Sequence, residues 1–260
     1  MTPSPAIAVF LSLLVSLAGW RARALTAPGA VFAVSIGVAI LLGAGWAGGA
    51  ALLAFFAGSS VISAAPDPAH RDLDAKGTQR DAWQVLANGG AAALLAIAGL
   101  LLPGPGIWAV TTSLAAAAAD TWATSIGARS ASWPRDLLTG QPVPPGTSGG
   151  VTSIGSLGAI AGALTVASAA AVVSGKPGLV VAGVLVGTAG MFVDSILGSR
   201  WQARFHCPSC KLTCERPVHR CGTKAVHSGG WRRLDNDTVN ALATLAAGLA
   251  GWGIGLAWGG

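Results

Sequence analysis

Charged side chains are scarce: only 10% of the 260 residues are Asp, Glu, Lys or Arg, against roughly 25% in a soluble domain. That shortage excludes an ordinary cytosolic protein. Cysteine is scarce too, and the four present all fall between Cys207 and Cys221, which excludes a disulfide scaffold spread over the chain. A Gly-Lys-Ser/Thr sequence is missing, so no Walker-type nucleotide loop is present. No clear internal repeat is visible. Disorder is excluded by the apolar content of 52%.

What the chain does have is long apolar runs. Charge-free stretches cover residues 1–20, 24–66, 82–119, 137–175, 177–193 and 238–260, and several reach or exceed the roughly 20 residues that cross a bilayer. The chain reads as an all-α polytopic membrane protein with about eight transmembrane helices. The net charge of +6 would suit nucleic acid, but basic loops between spans give the same total, and no nucleic-acid partner is inferred. The run 24–66 splits at Gly43-Ala44-Gly45-Trp46-Ala47-Gly48-Gly49, and another run splits at Pro103-Gly104-Pro105-Gly106. The expected spans are 5–20, 28–45, 47–65, 83–102, 107–127, 151–174, 178–198 and 237–258. The first is read as a retained helix, not a cleaved signal peptide, because no basic residue precedes it. The whole of 1–260 is read as one transmembrane domain, with a small cytoplasmic Cys/His-rich insertion at 200–235.

With these spans, Lys176 is the one exception among the 16 Lys and Arg; the others fall in loops on a single side. The positive-inside rule then puts that side in the cytoplasm and both termini outside, in the cell's inner membrane. Most acidic residues also lie in those loops. Asp120, Asp194 and Asp237 instead sit within or at the edges of helices, toward the same end. A carboxylate at that depth is a functional candidate by default, since it is costly unless paired, hydrated or bound to a cation. The patterns Gly158-x3-Gly162 and Gly183-x3-Gly187 would let helices approach closely enough to bring such groups together.

Four polar segments stand out. Lys76, Arg80, Gln84 and Asn88 recur every four residues, and form one stripe if the stretch is a continuous helix. Two cations and two amides suit phosphate oxygens; a solvated helix end is the plainer alternative. In the second segment, Asp120 and Thr121 follow a run of alanines and offer Mg²⁺ a hard oxygen ligand; Asp120 could equally cap a helix break or pair with a loop Arg. In the third, Gly146, Thr147, Gly149 and Gly150 form a turn before the sixth span whose N–H groups could curl around an anion, though Pro/Gly-rich turns are usually only turns. The fourth joins Asp194, Ser195 and Gln202 at the end of the seventh span to Asn236, Asp237 and Asn240 at the start of the eighth. There Asn236 and Asp237 could cap the helix, and the step from Asn236 to Asn240 puts two amides on one inward face.

Between these last two spans, Cys-x2-Cys precedes His-x-Cys in a polar loop. Cys207, Cys210, His219 and Cys221 are the expected ligands of a structural Zn²⁺, with Cys214 the rival of His219. A closed ligand set of that kind leaves no position for substrate.

The segments 84–90, Ala119-Asp120-Thr121-Trp122-Ala123, 143–151, Asp194-Ser195-Ile196-Leu197-Gly198 and Asn236-Asp237-Thr238-Val239-Asn240 together resemble the integral-membrane family catalogued as domain of unknown function 92. That family includes plant phytyl-phosphate kinase and vertebrate transmembrane protein 19. The resemblance runs from about Arg71 to the C-terminus. It implies transfer of a phosphoryl group from a nucleoside triphosphate such as CTP to an isoprenyl monophosphate, giving the diphosphate. One departure is visible: the family's tryptophan block continues to a Glu, where this chain has Ser125. Residue and resemblance readings converge on Asp120 and Asp194, with Asp237, as holders of Mg²⁺, and on Lys76, Arg80 and the 146–150 turn as neutralisers of phosphate. Two other readings use similar parts: a transporter for a small anion or lipid phosphate, and a CTP-dependent lipid-phosphate cytidylyltransferase.

Overall fold

The computed structural model describes residues 1–64, 79–102, 104–219 and 221–258. Those residues contain seven α-helices and five short strands. Several helices start where a side chain can satisfy an open backbone amide. For α1 (Pro5–Arg21), the Ser4 hydroxyl accepts from the Ile7 amide at 3.4 Å. For α3 (Ala82–Leu101), Asp81 accepts from the Gln84 amide at 2.9 Å while the Gln84 side chain accepts from the Asp81 amide at 3.0 Å, a capping box. For α5 (Ser153–Ser174), Thr152 accepts from Gly155 at 3.0 Å, and the helix ends on Gly175 at φ 68°.

α2 (Ala27–Ala64) has 38 residues; straight, it would be about 57 Å long, nearly twice the roughly 30 Å of hydrocarbon in a bilayer. It is broken at Gly45, whose φ of 64° and ψ of −158° suit glycine alone. Beyond the break, a Cβ added to Gly48 would lie 3.0 Å from the Ile40 side chain, and one on Gly49 2.5 Å from that of Leu41. Residues eight apart are about 12 Å apart on a straight helix, so the chain doubles back and the two arms pack as a hairpin. The boundary expected between spans 28–45 and 47–65 falls at this residue.

α2, α3, α5, α6 (Gly178–Trp201) and α7 (Asn236–Trp258) are long and apolar enough to cross a membrane. α4 (Gly106–Gly127) stands at the centre, in contact with all of those five, and every residue from Trp108 to Ala119 is buried. A helix enclosed by other helices sees little lipid, so it tolerates Thr111, Thr112 and Ser113 in its interior. The Thr112 hydroxyl reaches the Ala247 carbonyl of α7 at 2.9 Å.

Small residues set the register around α4. Gly178, Gly187 and Gly190 of α6 face Trp108, Ala115 and Ala116 in turn, so α6 runs beside α4 in the same direction. On the other flank Gly158 and Gly162 of α5 face Trp122 with Ile126, and Ala118, in the reverse order. Gly183 meets Ala167 across α5 and α6. Both expected small-residue patterns therefore lie at helix contacts.

The charged connections gather at one end of the bundle. Arg80 bridges to the chain before α2, donating from its amide to Ala24 at 2.9 Å and accepting from Thr26 at 3.0 Å. Arg129, just past α4, donates to the Ile62 carbonyl of α2 at 3.1 Å. The 128–152 connection folds back through strands β1 (Arg135–Asp136) and β2 (Gly150–Val151). The segment between α6 and α7 carries a three-stranded sheet in the order β4 (Thr213–Cys214), β3 (Arg204–His206), β5 (Val226–Gly229). Its base is closed by Ala203 donating to Leu234 at 2.8 Å and Trp231 donating to Trp201 at 2.8 Å. Lys176 lies at the opposite end, just before the Gly178 that faces Trp108.

Candidate functional site

The register of α6 on α4 decides where Asp120 and Asp194 go. Gly187 and Gly190 face Ala115 and Ala116, and one further turn along both helices brings Asp194 level with Asp120. Asp194 lies in the Coulombic field of both Asp120 and Glu215. Its Oδ2 is buried with no hydrogen-bond partner among the described residues. A buried acceptor without a donor is costly, and beside a second carboxylate a cation is the natural complement. On this ground the pair fits a hard divalent ion. Trp122 Nε1 and Thr188 Oγ1 are also buried and unpartnered among the described residues. Thr121 donates to its own helix at Ala117, 2.8 Å away, leaving its oxygen lone pairs available. Asp237 stands half-buried on the first turn of α7.

The 146–150 turn sits directly on the last turns of α6. Gly149, at φ 83°, has no room for a Cβ, which would meet Ser199 at 2.4 Å and the Ser195 carbonyl at 2.7 Å. Three of the turn's amides have partners within the chain: Thr147 donates to Pro144 at 3.2 Å, Gly150 to Thr147 at 3.0 Å, and Ser148 to Glu215 Oε1 at 3.1 Å. The Ser148 hydroxyl also donates to Glu215 Oε1, and the side chain of Gln202, 2% exposed, donates to Oε2 at 2.8 Å. The anion held at this turn is thus the carboxylate of the chain's only glutamate. Neither Glu215 nor Ser148 was singled out by sequence; 67 residues separate them, and no local pattern links them. Beside the turn, the Ser199 hydroxyl donates to Asp136. That bond above all, then the amide and hydroxyl of Thr139 and the Leu138 amide, holds Asp136 below the usual carboxylate range.

Several expected site residues are placed otherwise than the periodicity suggests. The helical stripe through Lys76, Arg80, Gln84 and Asn88 does not form, because Asp81 caps α3 and the helix begins at Ala82. Arg80 lies in extended chain, its guanidinium 5.6 Å from the centre of the Phe55 ring. Gln84 is engaged in the capping box, and the Asn88 side chain donates to the Gln84 carbonyl at 2.9 Å. Lys76 lies outside the described residues. At α7 the capping side chain is neither Asn236 nor Asp237 but Asp235, which accepts from the Thr238 amide at 2.9 Å and its hydroxyl at 2.7 Å. The two amides there do not share an inward face: Asn240 is buried and Asn236 is exposed. Ser195 is buried, with its hydroxyl 3.8 Å from the Met191 sulfur. Ser125, at the position of the family's Glu, lies 3.3 Å from the Ser63 hydroxyl.

The Cys/His cluster forms as expected. Donor atoms of Cys207, Cys210, His219 and Cys221 lie within 4.8 Å of one another. A tetrahedron with Zn–S bonds of about 2.3 Å has edges of about 3.8 Å, and the Cys207 and Cys221 sulfurs are 3.6 Å apart. The set fits a tetrahedral metal such as zinc. The Cys210 amide points at the Cys207 sulfur at 3.5 Å, and Lys211, at φ 57°, turns the chain away. Cys214 is drawn off by the Arg216 carbonyl, 3.4 Å from its sulfur, which leaves His219 as the fourth donor. Thr223 first, then His219, hold the Cys221 thiol down to about 5, while the Cys221 contact pushes the Cys210 thiol up to about 11. His227 packs edge-on against Phe205, ring centres 5.5 Å apart, and is no part of the cluster.

Comparison with known proteins agrees with this architecture. The chain is 31% identical to Protein PGR of Arabidopsis thaliana, over 92% of this chain and 91% of the relative. It is 26% identical to an uncharacterized membrane protein of Methanocaldococcus jannaschii, over 94% of this chain and 93% of the relative. No solved structure matches it. The model of the family described as integral membrane protein DUF92 matches residues 10–248, nearly the whole bundle together with its Cys/His segment, and the chain belongs to that family.

Proposed function

We propose that the chain is a membrane-embedded phosphotransferase that moves the terminal phosphoryl group of a nucleoside triphosphate such as CTP to an isoprenyl monophosphate. The observation that carries this reading is the α4–α6 register that sets Asp120 and Asp194 side by side at the charged end, with Asp194 Oδ2 buried and lacking a donor among the described residues. Asp120 and Asp194 would hold Mg²⁺, with Asp237 close to the same end. When bound, Mg²⁺ supplies charge neutralisation and alignment of the phosphates. In the transfer, an acceptor phosphate oxygen forms a bond to the terminal phosphorus as the bond to the β-bridging oxygen breaks, releasing nucleoside diphosphate. The acceptor is already a dianion near neutral pH, its second pKa being about 6, so no strong base is required and Ser125 in place of Glu is compatible with activity. In this proposal Arg80 and Lys76 would supply positive charge to the phosphates, with the 146–150 turn, Thr121, Ser195, Gln202 and Asn240 as further substrate-binding groups.

The bilayer explains the architecture. The prenyl tail lies between Gly/Ala-rich helices while the nucleotide arrives from water. In this proposal the charged end faces the cytoplasm, both termini lie outside the inner membrane, and zinc at the Cys/His cluster is structural. The test is purified protein in detergent with labelled CTP or ATP and a panel of prenyl monophosphates. A Mg²⁺-dependent diphosphate product, lost in Asp120→Asn and Asp194→Asn, is expected. Absence of product from every acceptor overturns the kinase, pyrophosphate release points to nucleotidyl transfer, and undiminished activity in both variants overturns the carboxylate assignment.

A further inference from the structure

Glu215 links two parts of the molecule, the Cys/His segment and the turn seated on α6. It stands between the ligand pairs, five residues after Cys210 and four before His219. No residue from 211 to 218 is buried, so no apolar packing fixes this stretch. Strand β4 pairs Cys214 with Phe205 and Thr213 with His206, Leu212 accepts from the Cys207 amide at 2.9 Å, Pro217 accepts from the Ala225 amide at 2.9 Å, and Val218 bridges to Lys224. These bonds tie the stretch to the segments that carry the ligands, so the clasp where the four ligand atoms converge secures both of its ends.

What the stretch delivers is a carboxylate with three donors: the Ser148 amide at 3.1 Å, the Ser148 hydroxyl, and the buried side chain of Gln202 at 2.8 Å. Ser148 and Gly149 lie against Gly198, and Gly149 also lies against Ser195 and Ser199, the residues that directly follow Asp194 on α6. Glu215 thus ties the turn to the helix end that carries Asp194, and its charge reaches Asp194 itself.

We propose that Glu215 is a positioning residue, and that metal bound by Cys207, Cys210, His219 and Cys221 orders the 146–150 turn against α6 by holding Glu215 between Ser148 and Gln202. The role assigned to the turn rests on the phosphotransferase reading; the coupling itself does not. Removing the metal frees both ends of the 211–218 stretch, and the Ser148 amide loses its acceptor. An unsatisfied amide at that turn exchanges with solvent.

The test is amide hydrogen exchange on the full-length protein in detergent, following peptides that span 144–151 and, as a reference, α4 around Ala115 to Ala119. Wild type is compared as purified, after chelation, and after zinc is added back, alongside Glu215→Ala and the conservative Glu215→Gln. Chelation and Glu215→Ala are each expected to speed exchange in the turn tenfold or more, with α4 unchanged. Zinc should restore protection in wild type and not in Glu215→Ala. Glu215→Gln should keep most of the protection that Glu215→Ala loses, because its amide oxygen still accepts from Ser148 and its NH2 can donate to the Gln202 oxygen once that amide turns over. Turn protection that is indifferent to chelation overturns the metal coupling. Equal protection in Glu215→Ala overturns the contact, and loss in Glu215→Gln as complete as in Glu215→Ala overturns the positioning role by hydrogen bonding. If chelation loosens α4 as well, Glu215→Ala, whose metal ligands are intact, decides. Because the readout is exchange and not turnover, metal-dependent protection without any transfer activity would refute the kinase alone.

Discussion

Asp194 offers a test in which stability and activity should move in opposite directions. Its Oδ2 is buried without a donor among the described residues, while Asp120 and Glu215 act on it electrostatically. An unsatisfied buried polar atom costs about 1–3 kcal/mol, and relief of like-charge repulsion adds to what a neutral side chain recovers. Asp194→Asn should therefore melt no lower than wild type in the absence of Mg²⁺, and up to a few degrees higher at about 2–4 °C per kcal/mol for a chain of this size. Mg²⁺ should reverse the order. At a concentration 100 times its Kd, a ligand specific to the folded state stabilises by about 2.7 kcal/mol, which wild type gains and the variant does not. The assay is thermal unfolding of both proteins in the same detergent across a Mg²⁺ series, with Ca²⁺ as the comparison ion. If Asp194→Asn melts well below wild type without metal, Asp194 is a structural partner and not an open ligand. If both proteins respond to Mg²⁺ alike, the ion binds elsewhere.

Gly187→Val should destabilise the bundle by about 1–3 kcal/mol through overpacking, since a Cβ there would sit 2.8 Å from Ala115 Cβ and 2.9 Å from its carbonyl carbon; Gly253→Ala, with no atom within 4 Å, serves as the tolerated control in the same melting assay. Asp235→Ala should lose the cap of α7 and about 1 kcal/mol, whereas Asn236→Ala, exposed and outside the capping bond, should change the melting point little; the reverse ranking would move the cap. For Asp136 the folded pKa lies below the unfolded one, so its contribution is present above the ordinary carboxylate value of about 3.9 and disappears as pH falls through the lower folded value. Ser199→Ala should raise that folded value toward the ordinary one, measured by carboxyl-carbon NMR titration; an unchanged midpoint would show that Ser199 is not the main cause.

Much of the architecture was legible because its signals are local. Hydropathy runs mark helices wherever the surroundings are apolar, and a break within 43–49 could be placed because the charge-free run 24–66 is far longer than one crossing of a bilayer needs. Cys207, Cys210, His219 and Cys221 were legible because metal geometry constrains short spacings. The stripe through Lys76, Arg80, Gln84 and Asn88 misled because periodicity of four cannot say where a helix starts; Asp81, able to trade hydrogen bonds with Gln84, starts α3 at Ala82 and leaves Arg80 outside it. Asp235 was overlooked at α7 for a similar reason, since three successive polar residues, Asp235, Asn236 and Asp237, can all cap and only the backbone path selects one.

The amino-acid sequence by itself determined that this chain resides in a membrane, which segments become helices, and which four side chains can close around a metal. These follow from transfer free energies, capping and ligand chemistry acting over a few residues. Only the tertiary structure decided that α6 lies beside α4 in the register that brings Asp194 level with Asp120, and that Glu215 reaches back across the molecule to Ser148. Both depend on close approach at Gly187, Gly190 and Gly149, where the absence of a side chain permits a contact but does not name the partner. That partner is chosen by the packing of the whole bundle.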